Sequence, residues 1–492
     1  MSTHHYVACD LGAESGRVML GTLANGKLTL EEVHRFPNNS ITIGGTLRWD
    51  ALRIFDELKT GLRKVAQRGV SPDSLSTDSW GVDYVWLRDN EPMLTLPYAY
   101  RDPRTDDGYK RAFAVVKREE IFAETGIQFM TLNTLYQLHA DVTFRPWILK
   151  TADRFLTMGD YFNYLFSGKE AIEQSLASTT QLYNPKTRTW SSKLQKKLGL
   201  PAKLFPKIVK SGSVLGPLLP AVAKETGLKG VKVVATCSHD TGAAVAAVPA
   251  QGAHWAYLSS GTWSLLGIEA KEPIINDKSL AYNWTNEVGY GHTIRFLKNI
   301  VGLWVVQDCR RAWAAEGTEY NYDQITRMAA EARPLKCLIN PNAARFLKPG
   351  DMPQKVVAYC RQTGQEPPGT HGEIVRCALE SLALVYRKTI ADAIAITGQP
   401  IQRLHIVGGG TKNSLLNQFA ANATGLPVLT GPVEATAIGN ILIQAIALKH
   451  LKSLTELRAV VRDSFPIQTY EPQDADLWQS AYERFQKLTL LK

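Results

Sequence analysis

Cysteine is scarce in this sequence of 492 residues: six are present, and none forms a Cys-x-x-Cys pair or a tight Cys/His cluster along the chain. That scarcity argues against a zinc site and against a disulfide framework. No apolar run reaches the roughly 18 residues that span a bilayer. The first residues show no charged segment followed by an apolar one, so no signal peptide is expected. Together these absences favour a cytoplasmic protein without a membrane partner.

Acidic residues are absent from one long segment, Gln174–Lys224, which carries nine Lys and Arg residues. The whole chain has 56 basic and 46 acidic residues, a net charge of +10, so this segment accounts for nearly all of the excess. A basic chain can bind nucleic acid, an anionic membrane or a small anion. Because the basic residues are confined to one segment, which is interrupted by Pro and Ser, we expect this segment to be a solvated arm of the first domain rather than a nucleic-acid surface.

The first part of the sequence alternates between strand and helix patterns. Apolar alternation and an Asn25-Gly26 hairpin signal predict strands at Tyr6–Asp10, Arg17–Leu23 and Lys27–Phe36. Apolar residues at helical spacing predict a helix at Asp50–Gly69.

A second cycle of the same kind begins near the middle of the chain. It predicts strands at Val231–Ala235, Ala256–Leu258, Ser264–Ile268 and Leu404–Val407, and a long helix at Glu373–Ala395. We therefore predict two α/β domains with weak internal duplication, at residues 1–247 and 248–492. The last helices could pack back on the first domain. Polar turns follow several strands, and open α/β sheets bind ligands at that end of their strands.

The loop Asp10–Arg17 follows the first strand and carries Gly12 and Gly16. Glycines allow backbone N–H groups to turn toward an anion, and Ser15 and Arg17 add donors. The loop lacks the Gly-Lys-Ser/Thr ending of a Walker A motif and is not Gly-x-Gly-x-x-Gly. The alternative is a plain hairpin turn. Asp10 could hold Mg²⁺ through water.

His239-Asp240-Thr241 follows an apolar strand and precedes a helix of small residues. Asp240 could be a general base that takes the proton of an attacking hydroxyl, as phosphoryl transfer to an alcohol requires. The alternative is a helix N-cap.

Four positions of the C-terminal half complete the candidate phosphate site. Thr262 lies in a turn after a strand, and Gly409 belongs to a glycine triplet that permits close backbone approach. Asn299 and Gln307 fall on residues 298–311, which the pattern predicts as a helix facing one cleft. The alternatives are a flexible glycine loop and two solvated amides.

Two stretches combine an aromatic ring with polar groups, as sugar sites do. They are Trp80-Gly81-Val82-Asp83 and Tyr100-Arg101-Asp102, and His239 could add a contact to a sugar hydroxyl.

These motifs resemble the FGGY carbohydrate kinases. The resemblance rests on Asp10–Arg17, His239-Asp240-Thr241, Ser260–Ser264 and Gly408–Gly410, and on the more specific Asn133–Leu138 and Leu297–Ile300. It spans residues 8 to about 440, nearly the whole chain. Glu14 departs from the pattern, where a small residue is expected.

The resemblance implies two actin-like ATPase domains with a catalytic cleft between them. It implies phosphorylation of the 1-hydroxyl of L-rhamnulose by ATP with Mg²⁺, by a monomer or weak homodimer that binds no nucleic acid. Asp240 would be the base. The implied ATP contacts are Ala13, Glu14, Ser15, Gly16, Arg17, Thr262, Gln307 and Gly409, and the implied ketose contacts are Gly81, His239, Thr241 and Asn299. The alternatives are a kinase for L-fuculose or another deoxyketose, and a non-kinase actin-like ATPase or sugar-binding regulator.

Overall fold

The computed structural model of the protein describes residues 3–89, 91–92 and 96–490. The chain divides into two compact units, and each is built from three segments. The first unit holds Met1–Pro249, Glu269–Phe296 and Ala435–Phe465. The second holds Ala250–Ile268, Leu297–Glu434 and Pro466–Lys492. The domain boundary after residue 247 stays a prediction.

The strands of the described residues, in chain order, are β1 (His4–Leu11), β2 (Ser15–Ala24), β3 (Lys27–Pro37), β4 (Ile41–Ile43), β5 (Thr46–Arg48), β6 (Ser74–Ser79), β7 (Tyr84–Arg88), β8 (Glu91–Pro92), β9 (Arg154–Thr157), β10 (Ile172–Glu173), β11 (Tyr183–Asn184), β12 (Thr189–Trp190), β13 (Ile208–Val209), β14 (Ser213–Pro217), β15 (Lys232–Ala235), β16 (Trp255–Ser260), β17 (Trp263–Ala270), β18 (Thr285–Val288), β19 (Ile294–Val301), β20 (Arg403–Val407), β21 (Val428–Thr430) and β22 (Gln468–Tyr470).

The α-helices are α1 (Ala51–Gln67), α2 (Arg104–Val115), α3 (Arg118–Thr125), α4 (Thr134–Phe144), α5 (Pro146–Thr151), α6 (Met158–Ser167), α7 (Gln174–Thr179), α8 (Ser192–Lys197), α9 (Pro220–Thr226), α10 (Asp240–Ala246), α11 (Asp277–Ala281), α12 (Trp304–Ala315), α13 (Tyr322–Glu331), α14 (Ala344–Leu347), α15 (Met352–Gln362), α16 (His371–Thr397), α17 (Ser414–Thr424), α18 (Ala435–Ala447), α19 (Leu454–Ser464) and α20 (Ala475–Leu490).

The central sheet of the first unit has the strand order β14-β15-β6-β1-β2-β3. Strands β1, β2 and β3 are antiparallel neighbours, as the hairpin signal predicted, while β1, β6 and β15 run parallel. Helices cover both faces of this sheet. Val18 and Gly21 of β2 point to opposite faces, and each meets a different helix. A Cβ on Gly61 of α1 would lie 2.4 Å from Val18, and a Cβ on Gly21 would lie 2.7 Å from Ile441 of α18.

Helix α1 shows why the local sequence forms this layer. Asp50 caps it by accepting a hydrogen bond from the Arg53 N–H at 3.0 Å, and Ile54, Leu58 and Leu62 line its buried face. The predicted helix at Asp50–Gly69 is confirmed to within two residues at each end.

The sheet of the second unit repeats the start of the first one. Its hairpin of β16 and β17 is antiparallel, and β20 and β21 then continue parallel to β16. Strand β22 closes this edge antiparallel to β21. The first unit has the same arrangement: the antiparallel hairpin of β1 and β2 is followed by β6 and β15, which run parallel to β1. The predicted internal duplication is therefore confirmed at the level of topology.

The basic segment is not a solvated arm, and that prediction is wrong. Helix α7, with which the segment begins, is buried, and the Trp190 ring packs on Phe155 of β9 with centroids 6.1 Å apart. Its nine cations are exposed, as expected, but Lys193 and Lys197 pair with Glu120 at 3.1 and 2.7 Å. The acidic partner comes from α3, which is distant in sequence and could not be inferred from the composition of the segment.

Among the described residues, no helix is both long enough and apolar enough to cross a membrane.

Candidate active site

Three carboxylates lie at the carboxyl ends of the parallel strands of the first unit: Asp10 and Asp78 are the next-to-last residues of β1 and β6, and Asp240 follows β15. In the parallel ladder Asp10 of β1 is the partner of Asp78 of β6, and Ser79 forms an isolated bridge with His239, next to Asp240. The side chain of Arg17 forms an ion pair with Asp10. The three acids thus share the carboxyl edge of β1, β6 and β15, where α/β sheets bind ligands.

Asp78 is the residue of this group to which the sequence assigned no role. It is fully buried, and burial together with the neighbouring Asp10 raises the pKa of its carboxyl well above the usual range. Asn440 of α18 donates a hydrogen bond to its Oδ2 at 2.5 Å, and its Oδ1 has no hydrogen-bond partner among the described residues. An acid near the carboxyl end of a buried strand, as at Asp10, is the signal that could have identified it.

Asp240 is the first residue of α10, and His239 is the N-cap position. The carboxylate accepts hydrogen bonds from the Thr241 N–H at 2.6 Å and from Thr241 Oγ1 at 3.1 Å. It is half-buried, and desolvation raises the pKa of Asp240. The alternative interpretation of Asp240 as an N-cap is therefore wrong, because its side chain bonds within the dipeptide and not to the next turn.

A buried cation orients the His239 ring. Arg295 is 0% exposed, and its Nη2 lies 2.9 Å from His239 Nδ1 and 3.1 Å from a carboxylate oxygen of Glu287. A guanidinium only donates hydrogen bonds, so Nδ1 is the acceptor and the neutral ring carries its hydrogen on Nε2. Nε2 lies 3.4 Å from Asp240 Oδ1. Sequence analysis missed Arg295, since nothing local links it to residue 239.

A second buried acid holds the loop in front of Asp240. Glu173 Oε2 accepts hydrogen bonds from the backbone N–H of Ser238 at 3.0 Å and of Ser175 at 2.9 Å. The Ser175 hydroxyl in turn accepts from the His239 N–H at 3.0 Å, and Ser211 donates to Glu173 Oε1 at 2.5 Å. The backbone at residues 238–239 is therefore tied to β10 and α7.

The loop between β1 and β2 is a tight turn closed by Asn38. The Gly12 N–H donates to the Ser15 carbonyl at 2.9 Å, and Asn38 bonds the carbonyls of Gly12 and Glu14 through its Nδ2 and backbone N–H at 2.7 and 2.9 Å. Packing alone explains a glycine at position 16, because a Cβ there would lie 2.2 Å from the Phe36 ring. Glu14 is exposed, while Ala13 and Ser15 are half-buried. These contacts leave the phosphate-binding role of Ala13–Arg17 a prediction.

The aromatic stretch around Gly81 is mainly structural. Asp83 is fully buried and accepts hydrogen bonds from the indole N–H groups of Trp49 and Trp80 at 2.6 and 2.9 Å and from Gln137 at 3.0 Å. These partners occupy its carboxylate, so the expectation that it contacts sugar hydroxyls is not supported. Gly81 itself is half-buried, and an added Cβ would lie 3.2 Å from Thr179 Oγ1.

In the second unit, the turn at Thr262 is joined to the start of α12. The Trp304 N–H donates to the Thr262 carbonyl at 3.2 Å, and Gln307 lies in the first turn of α12. The Oε1 atom of Gln307 is buried without a hydrogen-bond partner in the part of the chain that the structure describes. An amide oxygen in that state is suited to a ligand donor.

The predicted helix at 298–311 is wrong in its first half. Asn299 lies in β19, and α12 begins only at Trp304. Gly302 lies between the two elements. The backbone there approaches Trp263 so closely that a Cβ would lie 2.6 Å from the Trp263 carbonyl carbon, which leaves room only for glycine. Asn299 and Gln307 therefore do not share a helix face.

The glycine triplet follows β20 beside the Thr262 turn, because β16 and β20 are parallel with Ser259 opposite Val407. A Cβ on Gly410 would lie 2.0 Å from Ser260 Oγ, whereas a Cβ on Gly409 would meet nothing within 4 Å. Gly409 is exposed. The triplet therefore packs on the hairpin through Gly410 and leaves Gly409 open to a ligand.

The structure thus gathers the predicted residues into two groups. The first unit holds Asp10, Ala13–Arg17, Gly81 and His239–Thr241, and the second holds Thr262, Asn299, Gln307 and Gly409. That the two groups face one cleft stays a prediction, as do the individual roles.

Known proteins resemble the chain along its whole length. A Rhamnulokinase of Bacteroides thetaiotaomicron is 44% identical, over 98% of this chain and 98% of its own. A Rhamnulokinase of Oceanobacillus iheyensis is 40% identical over 94% of this chain and 97% of its own. The solved xylulose kinase of Lactobacillus acidophilus superposes with a TM-score of 0.83 at 17% identity, covering 99% of this chain and 98% of its own.

The likeness to the solved kinase confirms the predicted fold class of two α/β, actin-like domains. The family models agree with the motifs: the N-terminal domain of the FGGY family of carbohydrate kinases matches residues 5–247, and its C-terminal domain matches residues 256–448. With both domain models matched and nearly full-length relatives at 44% and 40% identity, the chain belongs to the FGGY family of carbohydrate kinases.

Proposed function

We propose that this chain is an ATP-dependent kinase that phosphorylates the 1-hydroxyl of L-rhamnulose in L-rhamnose catabolism, giving L-rhamnulose 1-phosphate and ADP. The observation that carries the proposal is 44% identity, over 98% of both chains, to a Rhamnulokinase. The half-buried Asp240 carboxylate beside an oriented His239 ring supports it. Membership in a family of carbohydrate kinases argues against a non-kinase ATPase or a regulator.

In the proposed reaction Asp240 takes the proton of the ketose hydroxyl as that oxygen attacks the γ-phosphorus of ATP. Burial raises the pKa of Asp240, which makes its carboxylate a stronger base. His239 donates from Nε2 to the ketose, and the Thr241 hydroxyl, whose hydrogen is donated to Asp240, accepts a hydrogen bond from a ketose hydroxyl. Gly81 and Asn299 are further contacts.

ATP is proposed to lie against the Ala13–Arg17 turn, Thr262, Gln307 and Gly409. The open space at Gly409 and the unpartnered Oε1 of Gln307 support this placement. Backbone N–H groups of a tight turn are suited to phosphate oxygens.

Mg²⁺ fits the carboxylates of the first unit. It prefers oxygen ligands, and Oδ1 of Asp78 is a buried carboxylate oxygen left without a partner among the described residues. Asp10 and Asp78 would hold the ion, Asp10 through water. When bound, the ion would neutralise charge on the transferred phosphoryl group.

A panel of ketoses tests the substrate assignment. We expect kcat/KM for L-rhamnulose, measured as ADP release in a coupled assay, to exceed that for L-fuculose and L-xylulose at least about tenfold, a difference of about 1.4 kcal/mol. Comparable values for rhamnulose and fuculose would replace the narrow proposal with a kinase of several deoxyketoses. No turnover of any ketose with ATP and Mg²⁺ would contradict the kinase proposal itself.

Gly409→Ala tests the nucleotide contact. The added methyl meets no atom of the protein, so we expect unchanged thermal stability. If ATP packs on this backbone, KM for ATP should rise about 10- to 100-fold, the effect of about 1–3 kcal/mol of steric misfit.

Gly369→Ala is the matched control, because that glycine is also exposed and a Cβ there would lie 3.7 Å from its nearest neighbour, Glu373 Oε2. An unchanged KM for ATP in Gly409→Ala would remove Gly409 from the site.

The cytoplasmic location, the monomeric or weakly dimeric state and the lack of a nucleic-acid partner stay predictions.

A further inference from the structure

Three buried thiols meet in the second unit, and the proposed reaction uses none of them. The sulfur atoms of Cys337, Cys360 and Cys377 all lie within 4.8 Å of one another. Their residues are 1%, 0% and 2% exposed. They are 23 and 17 positions apart in the sequence, which is why no cysteine cluster was visible there.

Each thiol belongs to a different element. Cys360 lies on α15 and Cys377 on α16, while Cys337 lies in the connection between α13 and α14. Three buried thiols on separate elements converge only because the fold brings those elements together.

The connection that carries Cys337 is tied down on both sides of the thiol. The Leu335 N–H donates to both carboxylate oxygens of Glu380 at 3.0 and 2.9 Å, and the Ile339 N–H donates to Ser381 Oγ at 2.9 Å. The side-chain amide of Gln365 exchanges two hydrogen bonds with the Leu338 backbone, both 2.8 Å long. The position of Cys337 against α16 is therefore set by the protein without a ligand.

The spacing of the sulfurs is close to that of a metal thiolate centre. When three sulfurs surround an ion in one plane, each about 2.3 Å from it, they lie about 4 Å from one another. The sulfurs here lie within 4.8 Å of one another, so binding requires each sulfur–sulfur distance to shorten by less than about 1 Å. Hydrogen bonds from its two neighbouring thiols lower the pKa of Cys360, which favours one thiolate as the first ligand. Thiolates select soft ions over the hard Mg²⁺ of the phosphate site.

We propose that Cys337, Cys360 and Cys377 form a three-thiolate binding site for a soft d¹⁰ metal cation, separate from the catalytic machinery. Among the described residues no His, Asp or Glu joins the three sulfurs as a fourth ligand, which suits a three-coordinate ion. Binding exchanges the remaining thiol protons for the cation, so each equivalent bound releases protons to the buffer.

Cadmium titration of the reduced full-length chain tests the proposal. With Cd²⁺ as the probe and a phosphine reductant present, we expect an ultraviolet thiolate-to-cadmium charge-transfer band that saturates near one equivalent per chain. The melting temperature should rise with Cd²⁺, because the folded state alone presents the site. Neither readout depends on kinase activity.

Cys377→Ser should lose the band and the Cd²⁺-dependent rise in melting temperature. Cys309→Ser is the matched control, since Cys309 is a buried cysteine of α12 outside the cluster, and it should keep both. Cys360→Ala provides a second loss variant if Cys377→Ser fails to fold. Among the described residues, His4, Asp73 and His450 form a second group that could hold a metal ion, but it contains no sulfur and gives no such band. An absent band in the wild-type chain, or an equal band in folded Cys377→Ser or Cys360→Ala, would overturn the proposal.

Discussion

Asp240→Asn is expected to lower kcat by about 10²–10⁴-fold, the usual contribution of a positioned general base. The amide has nearly the shape of the carboxylate and can still accept the hydrogen bonds from Thr241, but it cannot take up the hydroxyl proton. Binding should survive, so KM for ATP and the stabilisation of the protein by ADP should change little. The measurement is steady-state ADP release with L-rhamnulose over a range of both substrates.

Asp78→Asn separates base catalysis from simple loss of charge at the same edge of the sheet. Both substitutions remove one carboxylate, but Asp78 is proposed to act through Mg²⁺ and not on the hydroxyl. Raising the Mg²⁺ concentration should therefore restore part of the activity of Asp78→Asn and none of that of Asp240→Asn. A kcat near the wild-type value in Asp240→Asn would remove Asp240 from its role.

Arg295 is expected to act through His239, as a positioning residue. Arg295→Met removes the donor to Nδ1, so the ring is free to adopt the tautomer that presents no N–H to the ketose. We expect kcat/KM for L-rhamnulose to fall about 10- to 100-fold, because one buried hydrogen bond of this kind is worth about 1–3 kcal/mol. KM for ATP should stay unchanged.

The single variant also leaves Glu287 without its buried cation, which is destabilising in itself. Glu287 Oε2 also lies 3.4 Å from His239 Nδ1, so the second substitution must not supply a new donor. The double variant Arg295→Met/Glu287→Leu removes both charges and should recover stability without recovering kcat/KM. Arg458→Met/Glu269→Leu is the matched control: it removes a second Arg–Glu pair of the first unit, with nitrogen and oxygen 3.0 Å apart, and should leave kinetics unchanged. Full activity in a stable Arg295→Met/Glu287→Leu protein would contradict the role of Arg295.

What the sequence predicted well depends on neighbouring residues. Hairpin β1–β2 and helix α1 follow from apolar periodicity and from the Asp50 cap, and Asp240 was identified because a strand and a helix flank it. These signals lie within a few residues of one another, so pattern and structure agree.

What it missed depends on partners far along the chain. Asp78 accepts a hydrogen bond from Asn440, and His239 is oriented by Arg295; these pairs are 362 and 56 residues apart. The helix expected at Asn299 failed because Gly302 approaches the Trp263 backbone, a contact made across the fold. Spacing rules describe one element at a time and contain no information about such contacts.

The bonds that Glu173 makes have a consequence for how a substrate meets this protein. One carboxylate, through Ser175 and Ser211 and the Ser238 N–H, already fixes the backbone that leads into Asp240. The conformational entropy of that loop is therefore lost when the chain folds and not when a ligand arrives. Preorganisation of this kind leaves more of the free energy of binding for the ligand's own contacts.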